Sequence, residues 1–121
     1  MRTISYEEAK EALEAVAADH PDHCQPFCLN FDYDQQPSCL VAKALATKLL
    51  PDEYTYQMAR RLNLEASATA GRTASLLYQD GVASFEDKAI QLLIRAQAEA
   101  DRKKPWGEVV PQVLAEFEGM T

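Results

Sequence analysis

The chain has 121 residues, and its 47% hydrophobic and 26% charged side chains are typical of a folded globular domain. The net charge of −7 disfavours nucleic acid and anionic membranes as partners and favours a basic partner. No apolar leader follows Met1, and no run approaches the roughly 18 apolar residues of a membrane span. We therefore expect a single helical domain over residues 1–121, cytoplasmic and without membrane contact, whose three cysteines are free thiols.

The acidic residues are concentrated at the start of the chain. Residues 1–37 contain two basic and eight acidic side chains, whereas residues 38–121 contain ten basic and eleven acidic ones. This asymmetry favours a partner-binding surface in the first third of the chain, although an acidic surface that only improves solubility has the same composition.

The first predicted helix follows Ser5 and runs to about Ala18. Ser5 and Glu8 have the spacing of a capping box, in which each side chain bonds the backbone N–H of the other residue. The apolar face of this helix comprises Tyr6, Ala9, Leu13 and Val16. The acidic face comprises Glu7, Glu11 and Glu14, which we predict to contact a partner.

A short β-strand or hairpin is predicted near residues 27–33, where aromatic and polar residues alternate. A lone strand needs a pairing partner, so this segment favours either a small hairpin or a homodimer. We predict that Phe31 and Tyr33 contact the partner.

Four further helical segments follow in the sequence. Ser38 is predicted to cap an almost wholly apolar helix that runs to Leu50 and forms the centre of the fold. Shorter helices are expected over residues 52–62 and 73–78, and the longest over residues 84–102. A last helix is predicted at the end of the sequence. The predicted fold is therefore mainly α, a bundle of five or six helices.

That last predicted helix covers residues 106–117. Its apolar stripe comprises Trp106, Val109, Val110, Val113, Leu114 and Phe117. Docking of this stripe on the core is the simpler interpretation, and a self-association or partner-binding face that includes Trp106 is the alternative.

Five residues have the chemistry of zinc ligands: His20, His23, Cys24, Cys28 and Cys39. They lack a C-x-x-C pair and a second spaced pair, so we expect structural cysteines, with no metal and no cofactor. Cys39 near a helix start would also suit a nucleophile if a histidine lay beside it. The sequence does not predict that contact, so we do not expect an enzyme.

Residues 59–77 have some features of a helix-turn-helix. Arg60, Arg61 and Arg72 would suit DNA phosphates, and a second helix would follow a turn after Leu62. Against this interpretation, Gly71 weakens the second helix and the chain is acidic. DNA binding is therefore the alternative function, and nucleic acid is not the expected partner.

Two segments together resemble a known group of proteins. The first is Phe27-Cys28 through Tyr33 with Pro37-Ser38-Cys39-Leu40-Val41, and the second is Ala96-Gln97 with Pro105-Trp106-Gly107-Glu108. They are similar to small uncharacterised proteins of actinobacteria and their phages. These residues cover about a fifth of the chain, and Ala42 stands where the group leads us to expect Gly. The resemblance implies a phage or actinobacterial setting, and it implies nothing about activity.

The sequence thus favours a non-enzymatic interaction module that binds a host protein or a second copy of itself. A DNA-binding regulator that uses residues 59–77 is the alternative. Neither the partner nor the oligomeric state is specified by the sequence.

Overall fold

The computed structural model describes residues 1–25, 30–64 and 68–119. In these ranges the fold is mainly α with a minor β element, as predicted. The helices are α1 (Tyr6–Asp19), α2 (Leu40–Ala44), α3 (Tyr56–Arg61), α4 (Ala70–Gln79), α5 (Asp87–Ala100) and α6 (Trp106–Glu118). The strands are β1 (Arg2–Ile4) and β2 (Ala83–Phe85).

The first helix begins and ends close to the predicted residues. The Ser5 hydroxyl accepts from the Glu8 N–H at 3.2 Å, and the Glu8 carboxylate accepts from the Ser5 N–H at 3.2 Å, which completes the capping box. The predicted apolar face is buried and the predicted acidic face is exposed. Both faces of α1 are therefore confirmed.

The apolar helix at the centre of the fold is regular over α2 and continues as a π-helical turn, Leu45–Leu49. Its cap is Cys39 and not Ser38, because the Cys39 sulfur accepts from the Ala42 N–H at 3.4 Å. In the π-helical turn the Thr47 hydroxyl donates to the Lys43 carbonyl at 2.6 Å. Leu45 and Leu49 are buried, as the apolar pattern predicts.

The minor sheet does not lie where the sequence pattern placed a strand. β1 and β2 form a parallel pair in which Arg2 lies beside Ala83 and Ile4 beside Phe85. Residues 84–86 were expected to open the longest helix, but they end β2 and cap α5 instead. Strands of three residues are too short to show a reliable period of two.

The predicted strand near residues 27–33 lies partly outside the described residues. In the described part, Phe31 makes an isolated antiparallel bridge to Pro37. α3 begins later than predicted because Thr55 caps it, accepting from the Met58 N–H at 3.2 Å. α4 begins earlier than predicted because Thr69 caps it, accepting from the Arg72 N–H at 3.1 Å.

The core forms where α1, α5 and α6 pack on one another and α2 packs against α1 and α5. α1 and α6 are antiparallel neighbours. The Tyr6 ring stacks on the Phe117 ring at one end, with centroids 6.1 Å apart, and Pro21 contacts Gly107 at the other end. No helix in the described ranges combines the length and apolarity needed to cross a membrane.

Leu45→Ala tests the assignment of α2 and its π-helical turn to the centre of the core. Leu45 is 1% exposed, so its truncation is expected to lower the free energy of unfolding by about 2–5 kcal/mol. Glu11→Ala, on the exposed face of α1, is expected to change it by at most about 0.5 kcal/mol. Urea denaturation of both variants measures the difference, and equal losses would contradict the orientations given above.

Candidate interaction surface

The loop that follows α1 is held against the start of α6 by backbone hydrogen bonds. The Trp106 N–H donates to the His23 carbonyl at 2.9 Å, and the Gly107 N–H donates to the Pro21 carbonyl at 2.9 Å. A Cβ at position 107 would lie 2.9 Å from the Pro21 oxygen, so this close approach requires glycine. The loop thereby fixes the relative position of α1 and α6.

The buried amide of Gln25 joins three separate parts of the chain. Its Oε1 accepts from the Leu40 N–H at 2.9 Å and from the Trp106 Nε1–H at 3.3 Å. Its Nε2 donates to Asp101 Oδ1 at 2.6 Å. One side chain therefore connects the start of α2, the start of α6 and the end of α5.

Trp106 is consequently inside the protein, although the sequence suggested a partner-binding role for it. It is 1% exposed, and its ring centroid lies 4.4 Å from that of His23. The indole is enclosed on two sides. Its N–H donates to the buried Gln25 amide, and the His23 ring of the loop after α1 covers its ring.

The described residues among the candidate metal ligands differ in solvent exposure, so they do not form one cluster. Cys39 is buried, its sulfur donates to Asn30 Oδ1 at 3.2 Å, and burial raises the pKa of its thiol to about 11. His20, His23 and Cys24 are exposed, and Cys28 lies outside the described residues. Among the residues that the structure describes, no three His, Cys, Asp or Glu side chains are grouped as a metal site would require. The raised pKa of Cys39 also keeps its thiol protonated, unlike an activated nucleophile.

Gln25→Ala tests the central amide. The substitution removes the acceptor of two buried N–H groups, each of which costs about 1–3 kcal/mol when left unsatisfied. It also removes a donor to the exposed Asp101. We expect a substantial loss of unfolding free energy and a change in Trp106 fluorescence. Gln91→Ala, at an exposed position of α5, is the matched control. A Gln25 variant as stable as this control in urea denaturation would show that the amide is dispensable.

A buried carboxylate, Glu99, organises the other side of α5. It is 1% exposed and accepts from Arg95 Nη1 at 2.5 Å, Lys104 Nζ at 2.7 Å and Gln112 Nε2 at 3.2 Å. Arg95 also makes two 3.0 Å bonds to Glu116 on α6. The hydrogen bonds from Lys104 and Arg95 lower the pKa of Glu99 to about 2.

Acid should weaken the fold through Glu99. Because its pKa is lower in the folded than in the unfolded chain, stability from Glu99 is complete above about pH 4.5 and is lost as the pH falls towards about 2. Glu99→Gln should destabilise the protein at pH 7 and flatten the dependence of unfolding free energy on pH in this window. Glu108→Gln, an exposed control, should keep the wild-type slope. Denaturant titrations between pH 2.5 and about 7 compare the slopes, and parallel curves would refute the assignment.

The net charge of the protein resides on two neighbouring helices. α1 and α6 together carry eight carboxylates and one lysine, which equals the net charge of −7, and the rest of the chain is balanced. The carboxylates are those of Glu7, Glu8, Glu11, Glu14, Asp19, Glu108, Glu116 and Glu118. From the sequence alone, we attribute the acidity to residues 1–37. The carboxylates of α6 add to it because α6 packs beside α1, which the sequence does not reveal.

Half of these carboxylates are paired with cations. Glu8 pairs with Arg2, Asp19 with Lys48, Glu116 with Arg95 and Glu118 with Lys10. In the described part of the chain, the other four have no ion pair: Glu7, Glu11, Glu14 and Glu108. Three of them form one exposed stripe on α1, because their spacings of four and three residues place them on one helix face. We call Glu7, Glu11 and Glu14 the acidic stripe.

Tyr33 lies on a hydrogen-bonded turn and is 97% exposed. Asp32 forms this turn, because its Oδ1 accepts from the N–H groups of Asp34 at 2.9 Å and Gln36 at 3.0 Å. Phe31, predicted to contact the partner with Tyr33, is instead buried, with its ring centroid 5.5 Å from that of Tyr54. In a continuous strand the two rings would share one face, but the turn at Asp32 ends the extended backbone after Phe31 and separates them. Of the two, Tyr33 is the one exposed to a partner.

Residues 59–77 differ in geometry from a helix-turn-helix. Eight residues separate the end of α3 from the start of α4, compared with about three or four in that motif. Arg61 is held by Asp80 in two bonds of 3.0 and 2.6 Å, and Thr73 on α4 is buried. Arg60 and Arg72 are exposed. DNA binding by this segment stays a prediction.

The two segments that carry the phage and actinobacterial resemblance meet in the structure. Leu40 and Trp106 share the Gln25 amide, and Gln97 lies close enough to Cys39 to influence its thiol. Comparison with family models, curated proteins and solved structures finds no match for this chain.

Proposed function

We propose that this protein is a non-enzymatic interaction module that binds a basic protein partner through the exposed face of α1 and α6. The observation that carries the proposal is the concentration of the whole net charge of −7 on these two helices. Since four of their carboxylates have no ion pair among the described residues, the surface is electrostatically unsatisfied. A basic partner would complement it and associate faster at low salt.

The internal structure supports a binding surface that is rigid before the partner arrives. The loop hydrogen bonds, the Gln25 amide and the Arg95–Glu116 pair all tie α6 to its neighbours. A pre-organised surface loses little conformational entropy on binding. The exposed Tyr33 is a further candidate contact, since tyrosine contributes a large contact area in protein interfaces.

The resemblance supports placing this module in a phage or an actinobacterium, where the partner would be a host protein or a second copy of the chain. A thiolate nucleophile at Cys39 is disfavoured, because the side chain is buried and burial raises the pKa of its thiol. Homodimer formation stays a prediction that light scattering coupled to gel filtration decides.

Neutralisation of the acidic stripe tests the proposal. Glu7→Gln, Glu11→Gln and Glu14→Gln are combined in one variant and used with the wild type as bait for an actinobacterial lysate. A basic protein retained by the wild type should associate about tenfold more slowly with the variant, and its association rate should depend less on salt.

The matched control combines Asp22→Asn, Asp52→Asn and Glu53→Gln, which change the charge equally at exposed positions outside α1 and α6. It should behave as the wild type. Equal losses for both triple variants would indicate a net-charge effect and contradict the proposed surface. Salt-sensitive binding of mixed duplex DNA, abolished by Arg72→Ala, would favour the DNA-binding alternative.

A further inference from the structure

An open groove lies between the end of α1 and the first half of α6. Its floor consists of the buried side chains of Ala17, Val110 and Leu114, and its rim includes Glu14, Ala18 and Pro111. Its volume is about 380 Å³. This is near the small end of the roughly 300–1,000 Å³ of small-molecule sites, so it is large enough for a side chain but small for a nucleotide or cofactor.

The polar groups at this groove are hydrogen-bond acceptors. The four N–H groups at the start of α6 are already used: that of Trp106 by His23, that of Gly107 by Pro21, and those of Glu108 and Val109 by Pro105. An anion would therefore find no free helix N-terminus here. Glu14, which has no ion pair among the described residues, contributes its carboxylate to the rim.

Pro111 adds a second acceptor. Proline has no N–H, so the Gly107 carbonyl, four residues earlier, lacks the donor that it would have in a regular helix. Gly107 and Pro111 both line the groove. The groove thus combines an apolar floor with a carboxylate and a backbone carbonyl.

We propose that this groove receives an arginine or lysine side chain from an apolar segment of the basic partner; this inference rests on the proposed function. The aliphatic stem lies along Val110 and Leu114, and the charged head reaches the Glu14 carboxylate and the Gly107 carbonyl. Long basic side chains combine an apolar stem with a cationic head, which matches the two parts of the groove. The negative field of α1 and α6 attracts this cation and repels an anionic ligand.

The test uses a helical peptide of alanine and leucine with one central arginine and no aromatic residue. Isothermal titration gives its affinity, and amide chemical shifts together with the fluorescence of Trp106, the one tryptophan of the chain, report its position. We expect shifts at Ala17, Ala18, Gly107 and Leu114. A peptide with norleucine in place of arginine should bind about fivefold more weakly, the loss of one exposed charge pair.

Two variants locate the charged head. Glu14→Gln should reduce the affinity of the arginine peptide to that of the norleucine peptide and leave the latter unchanged, whereas Glu7→Gln, two turns away on the same stripe, should have a smaller effect. Ala18→Arg places a cation at the rim of the groove from within the chain and should abolish peptide binding. Gln91→Arg adds the same charge to exposed α5 and should not.

The outcomes separate this inference from the proposed function. Equal affinity for the arginine and norleucine peptides, shifts outside the groove, or no binding at millimolar peptide would overturn the inference. So would shifts at these residues caused by a second copy of the chain at high protein concentration. If the natural partner is lost with the acidic-stripe variant but retained by Ala18→Arg, the groove inference fails and the proposed function stands. If neither change affects the partner, both fail.

Discussion

The carboxamide of Gln25 is the contact on which the rest of the structure depends. It lies in a loop without regular secondary structure, yet it forms hydrogen bonds with three separate elements. These bonds go to the backbone N–H at the start of α2, the indole N–H of Trp106 and the Asp101 carboxylate at the end of α5. A carboxamide suits this position because its oxygen accepts two hydrogen bonds while its nitrogen donates. A carboxylate could not donate to Asp101, and an apolar side chain would leave two buried N–H groups without an acceptor.

Polar groups serve two different purposes in this protein. Inside, Glu99 is surrounded by Arg95, Lys104 and Gln112, so that its buried charge is fully compensated and fixes α5 against α6. Outside, the acidic stripe has no such compensation among the described residues. The ion pairs of α1 and α6 involve Glu8, Asp19, Glu116 and Glu118 and leave the stripe uncompensated. An uncompensated field on one rigid face is the arrangement that long-range attraction of a basic partner requires.

The sequence predicts much of the helical structure because capping and periodicity are local. Ser5 and Glu8 define the start of α1, and the apolar face of α6 follows from its spacing. The parallel strands are not predictable in this way, since their pairing joins residues about 80 positions apart and each strand has only three residues. The candidate site is only partly predictable from the sequence. The stripe on α1 is visible in the sequence, but the groove requires knowing that Glu14 and Pro111 face one another across two antiparallel helices.

The pairing of β1 with β2 also dictates when this surface comes into existence. Thr3 and Ser84 bond through their hydroxyls at 2.8 Å, and the Tyr6 N–H at the start of α1 donates to Glu86 at 3.0 Å. During synthesis, α1 therefore leaves the ribosome long before the strand, α5 and α6 that hold it have been made. Pairing of residues so far apart in the sequence is a non-local contact, and non-local contacts form slowly and late. A nascent chain has no α1–α6 face until residue 118 has emerged, so this surface forms only after nearly all of α6 has left the ribosome.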